Sequence, residues 1–147
     1  MRTLYNACRN NSGVTDSVAS ILMVIEDGVD IDGKWRDNRK DMKETAVYKA
    51  AMTNHVKAVK CLVQHGADFE IPRSDGNRPL HAAAAYGNHA VVEYLLSEGA
   101  DFNAKNDANQ TSWRVAFERF DDDGKKCLKL LQKAGAQVEE KESCTVM

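Results

Sequence analysis

Apolar positions recur at helical spacing in four short blocks, Ile21 to Ile25, Ala58 to Val63, Val91 to Leu96 and Cys127 to Leu131, and a glycine follows each one. Apolar residues at steps of three and four give a helix one buried face, so each block predicts an amphipathic helix. Gly28, Gly66, Gly99 and Gly135 stand where such a helix needs a left-handed residue to stop. A second pattern, richer in alanine, precedes three of the blocks: T-A-V-Y-K-A-A from Thr45, R-P-L-H-A-A-A-A from Arg78 and T-S-W-R-V-A-F from Thr111. The unit is therefore a pair of helices. Ala83 and Ala84 are small enough for neighbouring helices to approach, while Leu80, Val92, Leu95 and Leu96 supply core.

The pairs repeat. H-G-A-D-F-E at His65 to Glu70 recurs as E-G-A-D-F-N at Glu98 to Asn103, 33 residues later. D-G-V-D-I-D at Asp27 to Asp32 precedes them and A-G-A-Q-V-E at Ala134 to Glu139 follows. A fixed period of this length marks a solenoid, in which each unit buries its apolar face only by stacking on the next. From Arg78 to Ala104 the chain resembles a nearly complete ankyrin repeat, and the resemblance runs from about Thr3 to Val138. It implies an all-α ankyrin-repeat solenoid of about four helix-turn-helix repeats joined by β-hairpin fingers. The expected domain is 1–138, with repeats at about 1–32, 41–71, 74–104 and 107–138, followed by a flexible tail over 139–147. Pro79 suits the first position of a helix, where its missing N–H is no loss. In this motif the imidazole at His81 ties the helix start to adjacent backbone and does no chemistry.

Composition agrees with a folded chain and narrows its function. Of 147 residues 43% are hydrophobic and 29% charged, and the net charge of −2 lacks the basic excess of a nucleic-acid binder. The start has no basic-then-apolar leader and no stretch reaches the roughly 18 apolar residues of a membrane span, so a cytoplasmic setting is expected. Cys8, Cys61 and Cys127 fall within helical patterns and read as reduced core thiols. No phosphate loop, dinucleotide fingerprint, nucleophile elbow or zinc-ligand spacing occurs, and His55, His65, His81 and His89 are spread over repeat positions. The expectation is a monomer that is not an enzyme and takes no cofactor and no metal. The run from Phe120 to Gly124 lacks the alternating acidic ligands of a calcium loop. Asp122 or Asp123 is instead expected to cap a helix beginning near Lys125, with the three extra residues at Asp121 to Asp123 forming a solvated turn.

The resemblance also implies where a protein partner sits, on the finger tips and the exposed face of the first helices. Carried over position by position, this gives Met42, Glu44 and Met52, then Asp75, Asn77 and Tyr86, then Gln110 and Arg119. Departures from the period add a second clue. Gly66 to Arg78 and Gly99 to Thr111 are both 12 residues, but Gly28 to Thr45 is 17. The lengthened first finger carries Lys34, Arg36, Arg39, Lys40 and Lys43 against Asp37 and Asp41, with Trp35 among them. Trp and Arg together, at Trp35, Arg36 and Arg39, have the composition of a binding hot spot. Trp35 folded back as a cap over core is the equal alternative.

The sequence ends Cys144-Thr145-Val146-Met147, which fits a C-a-a-X signal with Met147 favouring farnesyl. Cys144 is thus expected to meet a prenyltransferase and to place the protein on the cytoplasmic membrane face. A single lipid chain holds only marginally, and no polybasic run precedes it. Asn103 is similar to the hairpin asparagines hydroxylated in many ankyrin proteins, although Phe102 stands where Val is usual, and a hairpin Asn that only bonds its own backbone is the stronger alternative. The expected function is a protein-binding adaptor or inhibitor tethered by farnesylation, with an effector of an intracellular microbe as one variant. The rival is a soluble ankyrin-only regulatory subunit or enzyme inhibitor.

Overall fold

The computed structural model describes residue 26, residues 28–36 and residues 43–136. Strand β1 (Trp35–Arg36) pairs antiparallel with β2 (Lys43–Glu44), Trp35 opposite Glu44 and Arg36 opposite Lys43. Three helix pairs follow: α1 (Ala46–Met52) with α2 (Val56–Gln64), α3 (Pro79–Ala85) with α4 (His89–Ser97), and α5 (Ser112–Phe117) with α6 (Asp122–Ala134). The inner helices α1, α3 and α5 stack in one layer and the outer helices α2, α4 and α6 in the other. This is the expected solenoid. Most of the first repeat, 1–32, and the tail, 139–147, lie outside the described residues.

Local chemistry starts each inner helix. Thr45 and Thr111 accept hydrogen bonds from the backbone N–H groups of Tyr48 and Arg114, each at 3.2 Å, satisfying donors that a first turn leaves orphaned. Between them Arg78 lacks a hydroxyl, and Pro79 takes the first helical position. The outer helices end on Gly66, Gly99 and Gly135 at φ of 88°, 88° and 108°. There the next residue folds back identically three times, with Ala67, Ala100 and Ala136 donating to Leu62, Leu95 and Leu131 carbonyls at 3.0 Å.

The apolar seam between the layers holds the stack. Leu62, Val91, Val92, Leu95 and Leu131 are fully buried, and Ala50, Ala83 and Ala116 occupy equivalent places in successive inner helices with no exposure. Their single methyl groups let those helices approach. Cys61 and Cys127 are free thiols in this core; Cys8 lies outside the described residues.

One expectation needs correction. The extra residues of the last repeat do not make a loose turn before a helix near Lys125. Helix α6 already begins at Asp122, and Asp121 is its cap, accepting from the Gly124 N–H at 2.8 Å. The insertion is one more helical turn, stabilised because a carboxylate at Asp121 reaches an orphaned N–H. The hairpin fingers vary in length. Among the described residues only the first carries paired strands, since the later two close within five residues through Arg73 N–H to Asn77 carbonyl at 2.8 Å and Asn106 N–H to Gln110 carbonyl at 3.0 Å. They are too short for a ladder, and the longer first finger is not.

Candidate interaction surface

The fingers are cross-linked to one another. Lys43 N–H donates to Ser74 Oγ at 2.9 Å, Asp107 N–H to the Asp75 carbonyl at 3.1 Å, and the Asn106 amide to Asn77 Oδ1 at 2.8 Å. Lower down, Asp68 N–H donates to Asp32 Oδ1 and Asp101 N–H to Glu70 Oε1, both at 2.8 Å. The tips therefore form a connected edge whose backbone is pre-organised for contact.

Charge on this face is internally matched. Arg73 forms an ion pair with Asp75, lies 4.0 Å from Glu44, and stacks 4.9 Å above the Tyr48 ring. Burial pushes the Asp75 carboxyl up, but hydrogen bonds from Arg73 and Asn77 outweigh it and hold the group at about 2. Burial likewise pushes the Tyr48 phenol well above its usual range against the opposing pull of Arg73. Glu44, expected at an exposed variable place, is 2% exposed and sits 3.6 Å from Lys49. A carboxylate can be buried there because two cations reach it.

His81 is 1% exposed, and its surroundings fix its tautomer. Arg78 N–H can only donate, so Nδ1 accepts at 3.2 Å; the Gln110 carbonyl can only accept, so Nε2 donates at 3.1 Å. Burial lowers its pKa, keeping it neutral. Neither nitrogen is left to act as a base. Burial also raises the Cys61 thiol and takes that of Cys127 up to about 11, the opposite of an activated nucleophile. Among the described residues no group of three His, Cys, Asp or Glu is placed to hold a metal, and no helix is long and apolar enough to cross a membrane.

The residues singled out in the sequence fall into distinct settings. Asp75, Asn77 and Gln110 meet in the finger network: Asn77 donates to Asp75 at 2.8 Å, and Gln110 donates to Glu118 at 2.9 Å. Tyr86, next to this network at the end of α3, is 56% exposed. Met52 ends α1 half-buried, its carbonyl accepting from the Asn88 amide at 3.1 Å. Arg119 bonds the Ala85 carbonyl at 2.9 Å and pairs with Asp121, so its guanidinium is already engaged. Trp35 and Arg36 have their backbone in β1. Arg39, Met42 and Cys144 lie outside the described residues. Exposed Asn103 donates its N–H to Asp101 Oδ1 at 3.0 Å.

Sequence reasoning missed Tyr48, Arg73, Ala82 and Val115, which line a recess with Tyr86, Asn77 and Gln110. Tyr48 occupies the His81 place of its copy, and that alignment was the available signal. Also missed were Phe117 at 41% and Phe120 at 88% exposure, apolar surface at the end of α5.

A family model described as ankyrin repeats, in three copies, matches residues 4–106. The chain is 36% identical over 111 residues to alpha-latrocrustotoxin-Lt1a of Latrodectus tredecimguttatus, covering 74% of this chain and 7% of the toxin. It is 37% identical over 100 residues to the transient receptor potential cation channel subfamily A member 1 homolog of Caenorhabditis elegans, with coverage of 66% and 8%. With protein phosphatase 1 regulatory subunit 12A of Mus musculus it shares 36% over 74 residues, 50% of this chain and 7% of that one. The chain thus spans less than a tenth of the length of these relatives.

Proposed function

Because the chain belongs to the ankyrin-repeat family, a non-catalytic interaction fold, we propose that it works by gripping a protein partner across its fingers and the inner face of α1, α3 and α5. The observation that carries this reading is the division of labour among the side chains. His81, Cys61 and Cys127, which have catalytic potential, are buried in the stack, while Tyr86 and the linked finger residues face outward. Exposed aromatics beside a rigid polar edge are the composition of a protein interface. Proximity labelling with wild type, compared with a Tyr86→Ala, Gln110→Ala double variant of unchanged melting temperature, tests it. Partners recovered by wild type should be lost from the variant, and equal recovery contradicts the reading.

The finer part of the proposal concerns Cys144. Its support is the Cys-Thr-Val-Met sequence, which would take a farnesyl group from a prenyltransferase and bring the module to the cytoplasmic face of a membrane. An adaptor or inhibitor so tethered, including an effector of an intracellular microbe, concentrates its partner there. Wild type should partition partly into the membrane fraction of eukaryotic cells and Cys144→Ser should not. Identical, fully soluble behaviour favours the second reading, an untethered regulatory subunit, which has the support of a relative named as a phosphatase regulatory subunit.

A further inference from the structure

The inner face carries a recess of about 280 Å³ above α3, where Ala82 and Ala85 stand in the places that Lys49 and Met52 fill on α1. The volume lies just under the roughly 300–1,000 Å³ of small-molecule sites, so it suits one side chain. Ala82 is almost fully covered, and polar groups make up most of the open lining. Tyr48 belongs to that lining while only 3% exposed, and its hydroxyl bonds to none of the described residues. Burial raises the phenol, so it stays protonated and can both donate and accept. A polar side chain buried this far normally has a partner, and here the open side is the recess.

The finger amides beside it are only partly used. Asn77 Nδ2 donates to Asp75 at 2.8 Å and Gln110 Nε2 to Glu118 at 2.9 Å, and each keeps a second hydrogen. The Oδ1 atoms of Asn77 and Asn106 accept from the Asn106 amide at 2.8 Å and the Gln110 N–H at 2.9 Å, and each keeps a second lone pair. Charge, in contrast, is closed. Arg73, the charged residue of the lining, is paired with Asp75 and lies 4.0 Å from Glu44, which in turn has Lys49 at 3.6 Å. An ionic guest would give up hydration and meet no open counter-ion. An apolar guest would take water from the hydroxyl and the amides and return no hydrogen bond. A guest that answers both openings carries a donor and an acceptor side by side and no charge, which is a carboxamide.

We propose that this recess is the anchor site for one carboxamide side chain of the protein partner, asparagine or glutamine, hydrogen-bonded to the Tyr48 hydroxyl and to the side-chain amides of Asn77 and Gln110. The proposal rests on the reading that the inner face grips a protein.

NMR titration with side-chain stand-ins tests it, with propionamide as the carboxamide and propionate, propylammonium and toluene as the anionic, cationic and apolar rivals. Propionamide should shift the side-chain amide signals of Asn77 and Gln110, and each rival should bind about tenfold more weakly or less. Tyr48→Phe removes a hydroxyl that makes no bond in the fold, so it should leave the melting temperature unchanged and weaken propionamide by roughly three- to tenfold. Gln110→Met, of similar length without the amide, should weaken it too and serves if Tyr48→Phe does not fold. No amide shift, a rival binding as well as propionamide, or undiminished affinity in the folded variant overturns the anchor. Displayed random peptides separate this from the broader reading, inner-face binders being those that Tyr86→Ala weakens. Binders with an Asn or Gln whose replacement by Leu costs more in wild type than in Tyr48→Phe support the anchor. Binders without such a residue, or with equal cost in both, sink it while leaving the module intact. Failure to select any inner-face binder sinks both.

Discussion

At His81 both ring nitrogens are committed to backbone groups of two successive repeats, Arg78 and Gln110, so the imidazole works as a neutral strut. Burial puts its folded pKa below the ordinary value of 6.5. Between the two values the unfolded chain binds more protons, and stability rises with pH there. The contribution is complete above 6.5 and is lost as pH falls from 6.5 through the folded value. Urea midpoints should thus be lower at pH 5.5 than at pH 7.5, and His81→Gln should flatten the difference; equal wild-type midpoints would count against a buried neutral His81. Asp75 acts further down, contributing above its ordinary 3.8 and ceasing to as pH falls through about 2. Asn88 and Arg119 do related work by different chemistry. Asn88 donates to the Ala51 and Met52 carbonyls at 2.7 and 3.1 Å, and Arg119 to the Ala85 carbonyl, each closing the end of the preceding inner helix. Asn88→Ala leaves buried acceptors bare and should lower unfolding free energy by ~1–3 kcal/mol in chemical denaturation. No change would mean that those carbonyls find other donors. Arg119→Ala should be milder, because its ion pair with Asp121 is part-exposed.

Helix α6 shows which elements were legible in the sequence and which were not. Its end was readable, because Gly135 closes an apolar pattern and takes φ of 108° as a left-handed stop requires. Its start was not, since Asp121, Asp122 and Asp123 are equally good caps by type and only the Gly124 N–H selects the first. Glu44 and Tyr48 were hidden for a similar reason. Their places in the repeat announce backbone position, while burial depends on Arg73 arriving from the next finger, a contact no local pattern encodes. The two glycines of this segment should respond to alanine for opposite reasons. At Gly135 a Cβ would find ordinary space, 3.5 Å from Phe102, so Gly135→Ala should cost ~1–2 kcal/mol through backbone strain alone. At Gly124 the Cβ would lie 2.6 Å from the Arg119 Cβ. Gly124→Ala should displace Arg119 from the Ala85 carbonyl, which an NMR shift change at Ala85 would register, in spite of alanine's better helix propensity. An unmoved Ala85 signal would contradict that packing.

As a whole molecule the protein is a short stack whose repeats stabilise their neighbours, so damage to one core position should be felt throughout. Leu95, fully buried between the layers, is the place to see it. Leu95→Ala should cost ~2–5 kcal/mol and lower the melting temperature of the entire stack in a single transition. Two separate transitions would contradict that coupling. The 33-residue period made this architecture readable from the sequence. The binding face was less so, because its shape depends on which inner-helix places are left small, Ala82 and Ala85, against larger neighbours in the adjoining repeats. On the proposed reading the inner face is what grips the protein partner. The most direct test is the dissociation constant of a partner recovered by proximity labelling, measured for wild type, Tyr86→Ala and, as a control on the outer helix α6, Lys129→Ala. About tenfold or greater weakening by Tyr86→Ala with Lys129→Ala unchanged is the predicted result. Undiminished affinity in Tyr86→Ala, or equal weakening in both, would contradict it.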